Sequence, residues 1–137
     1  MTEDVVSVSR SVRLAAPASE VWGIVGNFQR LPDWHPAFSG SVAEKVGDVE
    51  FRHLTLADGG EIYEQLVDTT THSYTYRIIK SPLPIEHYES RVEVWTTEGG
   101  SEVTWSSSFT PKAEGMEDVI AGVYEAGLNA LAERFGT

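Results

Sequence analysis

From residue 49 to residue 110 apolar and polar residues alternate with few breaks, and one long amphipathic stretch follows. That order constrains the fold more than any other feature of the chain. Segments 49–57, 61–68, 73–80, 86–97 and 101–110 are rich in Val, Thr, Tyr, Phe and Trp at a period of two, the pattern of half-buried strands. Segment 5–14 has the same character, and a shorter strand is expected near 40–46. "ADGGE" (57–61) reads as a three-residue hairpin loop, 58–60, with a glycine in the left-handed region. "EGGS" (98–101) reads as a two-residue type I′ turn at 99–100.

Helical periodicity occurs in two places. "APASEVWGIVGNF" (16–28) has Pro17 and Ser19 at a helix start and Val21, Trp22 and Val25 on one face. A second short helix is expected to end near Leu31, where Pro32 would stop it. From 116 to 135, Ile120, Val123, Tyr124, Gly127, Leu128, Leu131 and Phe135 recur at three- and four-residue steps. The predicted order is one strand, two short helices, six consecutive strands and one long helix. Consecutive strands joined by tight turns form an antiparallel sheet, and the apolar stripe of the helix must cover its inner face. A bent sheet around a helix leaves room for a cavity, the natural place for a ligand.

The expected turns set the register. They place Arg52, Leu54 and Leu56 on one face with Ile62, Glu64 and Leu66, with Arg52 diagonal to Glu64. They pair Val94 with Trp105, Val92 with Ser107 and Ser90 with Phe109. The inner surface then carries Arg52, Glu64, Tyr74, Tyr76, Tyr88, Ser90, Trp105 and Ser107, joined by Tyr124 from the helix. A buried charge without a partner is costly, so these groups must satisfy one another, hold water or meet a ligand.

Composition removes several function classes. There are no cysteines among the 137 residues, so thiol nucleophiles, disulfides and thiolate metal sites are absent. A formal net charge of −11 argues against a basic patch for nucleic acid or an anionic membrane. No apolar run approaches the roughly 20 residues of a membrane span. The start "MTEDVVSVSR" is acidic and alternating, unlike a signal peptide, so the cytoplasm is expected. By alternation His53 and His87 face outward and His72 sits near a strand start, so no metal site is expected. The glycine pairs lie in hairpin turns and form no phosphate loop; no cofactor is expected.

"APASEVWGIVGNF", "LPDWHP", "LTLADGGEIYEQL", "YTYRI", "SPLPIEHYESRVEV", "VTW" and "GVYEAGLNALAERF" follow in that order. Together they resemble the polyketide cyclase/dehydrase-like branch of the START/Bet v1 (SRPBCC) superfamily. The resemblance covers nearly the whole chain. It implies a single α+β domain over 1–137 with a helix-grip fold: a seven-stranded antiparallel sheet around the C-terminal helix, two short helices after the first strand, and a hydrophobic cavity. It also implies that Trp34 and His35 stand at the cavity mouth, stiffened by Pro32 and Pro36.

The expected function is binding of a small hydrophobic molecule, aromatic or polyketide-like, with cofactor-free cyclisation, aromatisation or dehydration. Glu64 and His35 would move protons, while Arg52, Tyr76 and Tyr88 would orient or polarise carbonyl oxygens. Trp34, Leu54, Tyr74, Ser90, Trp105, Ser107 and Tyr124 would line the ligand site. Each candidate has a plainer reading. Glu64 can be the ion-pair partner of Arg52, His35 a loop-carbonyl partner, and the tyrosines core residues. The alternative function is a carrier or sensor of a lipid or hydrophobic metabolite. A monomer or homodimer fits, and Trp95 on the outer face is the exposed aromatic that a dimer could use.

Overall fold

Strands form where the period-two segments predict them. The computed structural model describes residues 4–137. Its elements are β1 (Val6–Leu14), α1 (Ala18–Val25), a 3₁₀ segment (Phe28–Asp33), β2 (Phe38–Val46), β3 (Val49–Leu56), β4 (Glu61–Thr70), β5 (Ser73–Lys80), β6 (Ile85–Thr97), β7 (Gly100–Pro111) and α2 (Met116–Phe135). The seven strands make one sheet in the order β1-β7-β6-β5-β4-β3-β2. All pairings are antiparallel. Every pair except β1–β7 joins neighbours in sequence, so α1 and the 3₁₀ segment carry the chain from one sheet edge to the other. α2 buries Ile120, Tyr124, Leu128 and Leu131. Sheet and helix share one core with Val21, Val25, Val92, Val103 and Phe109. This is the helix-grip fold that the family resemblance implies.

Both hairpin registers differ from the sequence expectation by two residues. Arg52 lies directly opposite Glu64, not diagonal to it, because the β3–β4 connection spans 57–60. Leu56 N donates to Gly60 O at 2.7 Å, and the Asp58 carboxylate accepts from Gly60 N at 2.9 Å, which closes this wider loop. Gly59 takes the expected left-handed conformation, φ 95. In the other hairpin the turn is Glu98–Gly99, so Val94 pairs with Val103, Val92 with Trp105 and Ser90 with Ser107. Only Gly99 of that turn has positive φ, whereas type I′ needs it at both central residues. Gly100 is needed inside the strand: a Cβ there would stand 2.0 Å from the carbonyl oxygen of Leu14. A shift of two residues preserves side-chain parity, so the assignment of faces survives both corrections.

Two irregularities aim particular residues. The 3₁₀ segment passes through Pro32 and ends at Asp33, beyond the expected stop. A kink at Arg30 starts a fresh turn, and a proline early in a turn has no N–H bond to lose. In β6 a bulge between Glu86 and Glu89 puts His87 at φ 55, exposed, and turns Tyr88 inward.

Candidate functional site

Between the sheet and α2 lies an enclosed cavity of about 230 Å³. Its wall is mostly apolar, with Leu31, Phe38, Ile62, Ile78 and Ile120 among its residues. Its polar lining is Arg52, Glu64, Tyr76, Tyr88, Trp105 and Tyr124, with Asp58. Asp58 on the β3–β4 loop and Val119 in the first turn of α2 are both lining and exposed, and they mark where the cavity opens.

Arg52 and Glu64 meet across β3 and β4. Arg52 Nε donates to Glu64 Oε1 at 2.7 Å, and Nη2 stands 2.7 Å from the same oxygen without an aligned acceptor. Nη1 donates to Phe28 O at 2.7 Å, and the guanidinium lies 4.0 Å over the Phe28 ring. Arg52 is 0% exposed to solvent and lines the cavity beside Glu64. Glu64 Oε2 takes no hydrogen bond from the described residues. Burial pushes the Glu64 carboxyl above its ordinary value, and Arg52 pulls it back only in part. The pair forms, yet desolvation outweighs it.

Tyr76, Tyr88 and Tyr124 form one connected network. Tyr76 Oη is 3.2 Å from Tyr88 Oη, which makes a shorter contact with Tyr124 Oη. Tyr124 Oη is 3.2 Å from Ser90 Oγ, which donates to Ser106 O at 2.9 Å. Trp105 Nε1 donates to Tyr76 Oη at 3.1 Å and to Ser90 Oγ at 3.0 Å, and its ring stacks on Tyr124 at 4.4 Å. Burial raises all three phenols, Tyr124 to about 12 and Tyr76 and Tyr88 well above their ordinary value. They are neutral hydroxyls at physiological pH, able to donate but not to act as bases.

Other expected site residues stand elsewhere. Trp34 and His35 are not at the mouth: they are 5% and 0% exposed and lie under α2. A Cβ on Gly127 would come within 2.6 Å of His35 Cδ2, so the missing side chain makes the notch that admits them. His35 Nε2 donates to Val123 O at 2.7 Å, and Nδ1 accepts from Ala37 N at 3.1 Å. Both ring nitrogens are thus held by main chain. Burial lowers the His35 pKa, so the ring is neutral and structural. Tyr74 packs edge-on to Phe28 at 5.6 Å, outside the cavity wall. Leu54, Ser90 and Ser107 are buried but do not line it either. Trp34 Nε1, Tyr74 Oη and Ser107 Oγ have no hydrogen-bond partner among the described residues. The sequence reading left Asp58, Leu83 and Val119 out of the site. Asp58 carried only a turn signal, and Leu83 lies in a connection with no periodicity.

The matching sequence family is described as "Polyketide cyclase / dehydrase and lipid transport", and the match runs over residues 5–136. The chain belongs to this family. A solved protein of Bacillus thuringiensis is 35% identical, with a TM-score of 0.87 over 95% of this chain and 98% of that one. XoxI of Bacillus cereus is 34% identical, with a TM-score of 0.82 over 98% of this chain and 96% of its own. The ZhuI aromatase/cyclase of Streptomyces sp. R1128 shares the fold at 16% identity, with a TM-score of 0.72 over 96% and 93% of the two chains. None of the curated proteins matches the chain. In this polyketide cyclase/dehydrase-like protein no helix among the described residues is long and apolar enough to cross a membrane.

Proposed function

We propose that this protein binds a small hydrophobic molecule, aromatic or polyketide-like, in the cavity under α2 and catalyses its cyclisation, aromatisation or dehydration without a cofactor. The observation that carries the reading is Glu64. Its Oε1 is held by Arg52, its Oε2 has no partner among the described residues, and burial raises its pKa. A carboxyl tuned in this way can take a proton from carbon or give one to a leaving hydroxyl. Arg52 orients Glu64 through its hydrogen bond to Oε1, and its Nη2, at the cavity wall, has no hydrogen-bond acceptor among the described residues. Tyr76, Tyr88 and Tyr124 offer hydroxyl donors to an oxygen of the ligand. His35 has both nitrogens committed and takes no part. At about 230 Å³ the cavity is smaller than the roughly 300–1,000 Å³ of drug-sized pockets, which points to a ligand of one or two rings.

The experiment is native mass spectrometry of the gently purified protein, with identification of what is bound, followed by incubation of its open-chain or hydrated precursor with wild type and Glu64→Gln. One aromatic or polyketide-like molecule per chain is expected, turned over by wild type and bound unchanged by the variant. Arg52→Met/Glu64→Gln, which leaves no buried charge unpaired, serves as the folded control. Equal turnover by Glu64→Gln would remove Glu64 from the chemistry. Binding without turnover by either protein would establish the second reading, a carrier, which the same enclosed apolar wall supports. A protein that neither retains nor takes up such molecules would overturn both.

A further inference from the structure

The phenol network has a direction. A main-chain carbonyl can only accept, so the single proton of Ser90 goes to Ser106 O. Ser90 Oγ must then accept from Tyr124, and Tyr124 from Tyr88, which in turn accepts from Tyr76. The hydroxyls of Tyr76, Tyr88, Tyr124 and Ser90 supply four protons for these four contacts, and no other arrangement gives each contact one proton. Trp105 Nε1, a donor only, fits this order at both oxygens that it reaches. Tyr76 Oη is therefore the free end of the chain and Ser90 its anchor.

Within the phenol chain an entering oxygen finds no idle proton and must take one already in use. Turning the Tyr76 hydroxyl breaks only its contact with Tyr88, at 3.2 Å, and leaves the rest of the chain intact. Turning Tyr88 or Tyr124 would break a contact nearer the anchor. Once Tyr76 has turned, Tyr88 Oη has a vacant acceptor position beside it. A group that both accepts and donates fills the gap. A carbonyl meets half the demand and a hydrocarbon none.

We propose that the cavity selects a ligand hydroxyl, phenolic, enolic or alcoholic, which inserts between Tyr76 and Tyr88, and that Ser90, outside the cavity wall, is the positioning residue that sets this preference by orienting the chain. The proposal rests on the cavity being a ligand site. Replacing Ser90 by Ala removes the anchor. Both directions then keep the same two contacts, and in the reversed one Tyr124 donates to Tyr88 and Tyr88 to Tyr76, so the Tyr76 proton becomes available without loss of any contact. The variant should gain affinity for acceptor-only ligands.

The probes are tetralin, 1-tetralone and 1-tetralol, which share a shape and differ at one oxygen. Calorimetry on wild type should place tetralol about fivefold above tetralin, with tetralone level with tetralin because the carbonyl makes one contact and breaks one. Tyr88→Phe leaves the Tyr76 proton idle and should bring tetralone up to tetralol, about fivefold above tetralin. Ser90→Ala should tighten tetralone by about fivefold relative to tetralin. A tetralone that outbinds tetralin in wild type, or that stays level with it in Tyr88→Phe, would overturn the proposal. So would a Ser90→Ala protein that treats the three probes as wild type does.

Proton NMR of the ligand-free protein decides the direction without a probe. The hydroxyl proton between Tyr88 and Tyr124 should show its cross-peak to the Tyr88 ring in wild type and gain one to the Tyr124 ring in Ser90→Ala. The reverse assignment overturns the proposal even if no probe binds, whereas failure of all three probes with the expected assignment counts against the cavity as a ligand site.

Discussion

Glu64 and Arg52 illustrate what burial does to a charged pair. Exposed pairs contribute little, but removing one partner of a buried pair leaves the other charge stranded, at a cost of about 3–5 kcal/mol. Arg52→Met and Glu64→Gln should each lower stability by about that amount. Arg52→Met/Glu64→Gln should recover most of the loss, because replacing both partners strands nothing. Denaturant unfolding of the three variants checks this, and additive losses would mean that the pair is not coupled. Gly127 makes a steric demand of a different kind. An added methyl would press on the His35 ring, so Gly127→Ala should destabilise by about 1–3 kcal/mol, although alanine favours a helix by about 1 kcal/mol. Thermal unfolding checks it; a stabilised variant would show that loop and helix part freely.

Among the elements, the sheet is unevenly buried. β6 and β7 are central strands with alternating buried residues, whereas β2 is an edge strand whose residues from Ala43 to Val46 are all exposed. Backbone bonds exposed to water on an edge open at lower cost than bonds inside a core. Native-state amide exchange should therefore be fastest in the β2–β3 hairpin around Gly47 and Asp48, and slowest in β6 and β7. Comparable protection in β2 would require a cover that the isolated chain does not have. α2 is fixed at several points: His35 on Val123, the Gly127 notch, and Ala15 N on Gly136 O at 3.0 Å. These contacts hold Val123 and Tyr124 against the cavity, which links helix packing to the shape of the site.

Over the whole molecule, His35 and Glu64 give opposite pH dependences. The folded state holds His35 below its ordinary 6.5, so the unfolded chain takes up that proton first on acidification. The contribution of His35 is complete above about 6.5 and falls as pH drops toward its folded value. Glu64 is raised above its ordinary 4.5, so the folded state holds that proton longer, and this contribution is lost as pH rises from 4.5 through the folded value. Stability measured from pH 7 downward should first decline on account of His35. That slope should be absent in His35→Gln; an unchanged slope would assign it to other groups. A net charge of −11 adds self-repulsion, which salt screens, so the comparison belongs at fixed ionic strength.

Periodicity alone determined the elements, their order and the faces they present. A period of two or of 3.6 records which side of an element is buried, and the parity survived even where the turns were misplaced. Inward positions of Glu64, Tyr76, Tyr88 and Trp105 were legible for that reason. The registers were not, since they depended on the Asp58 carboxylate closing one loop and on the close approach of Gly100 to Leu14. Sequence could argue that buried polar groups need partners, but not which ones. Only the tertiary structure decided that Tyr76, Tyr88 and Tyr124 satisfy one another, that Arg52 stands directly opposite Glu64, and that His35 serves main-chain groups on either side of it. The cavity is set in the same way. Its mouth lies between two segments far apart in the chain, the β3–β4 loop and the first turn of α2, and no local pattern encodes the distance between them.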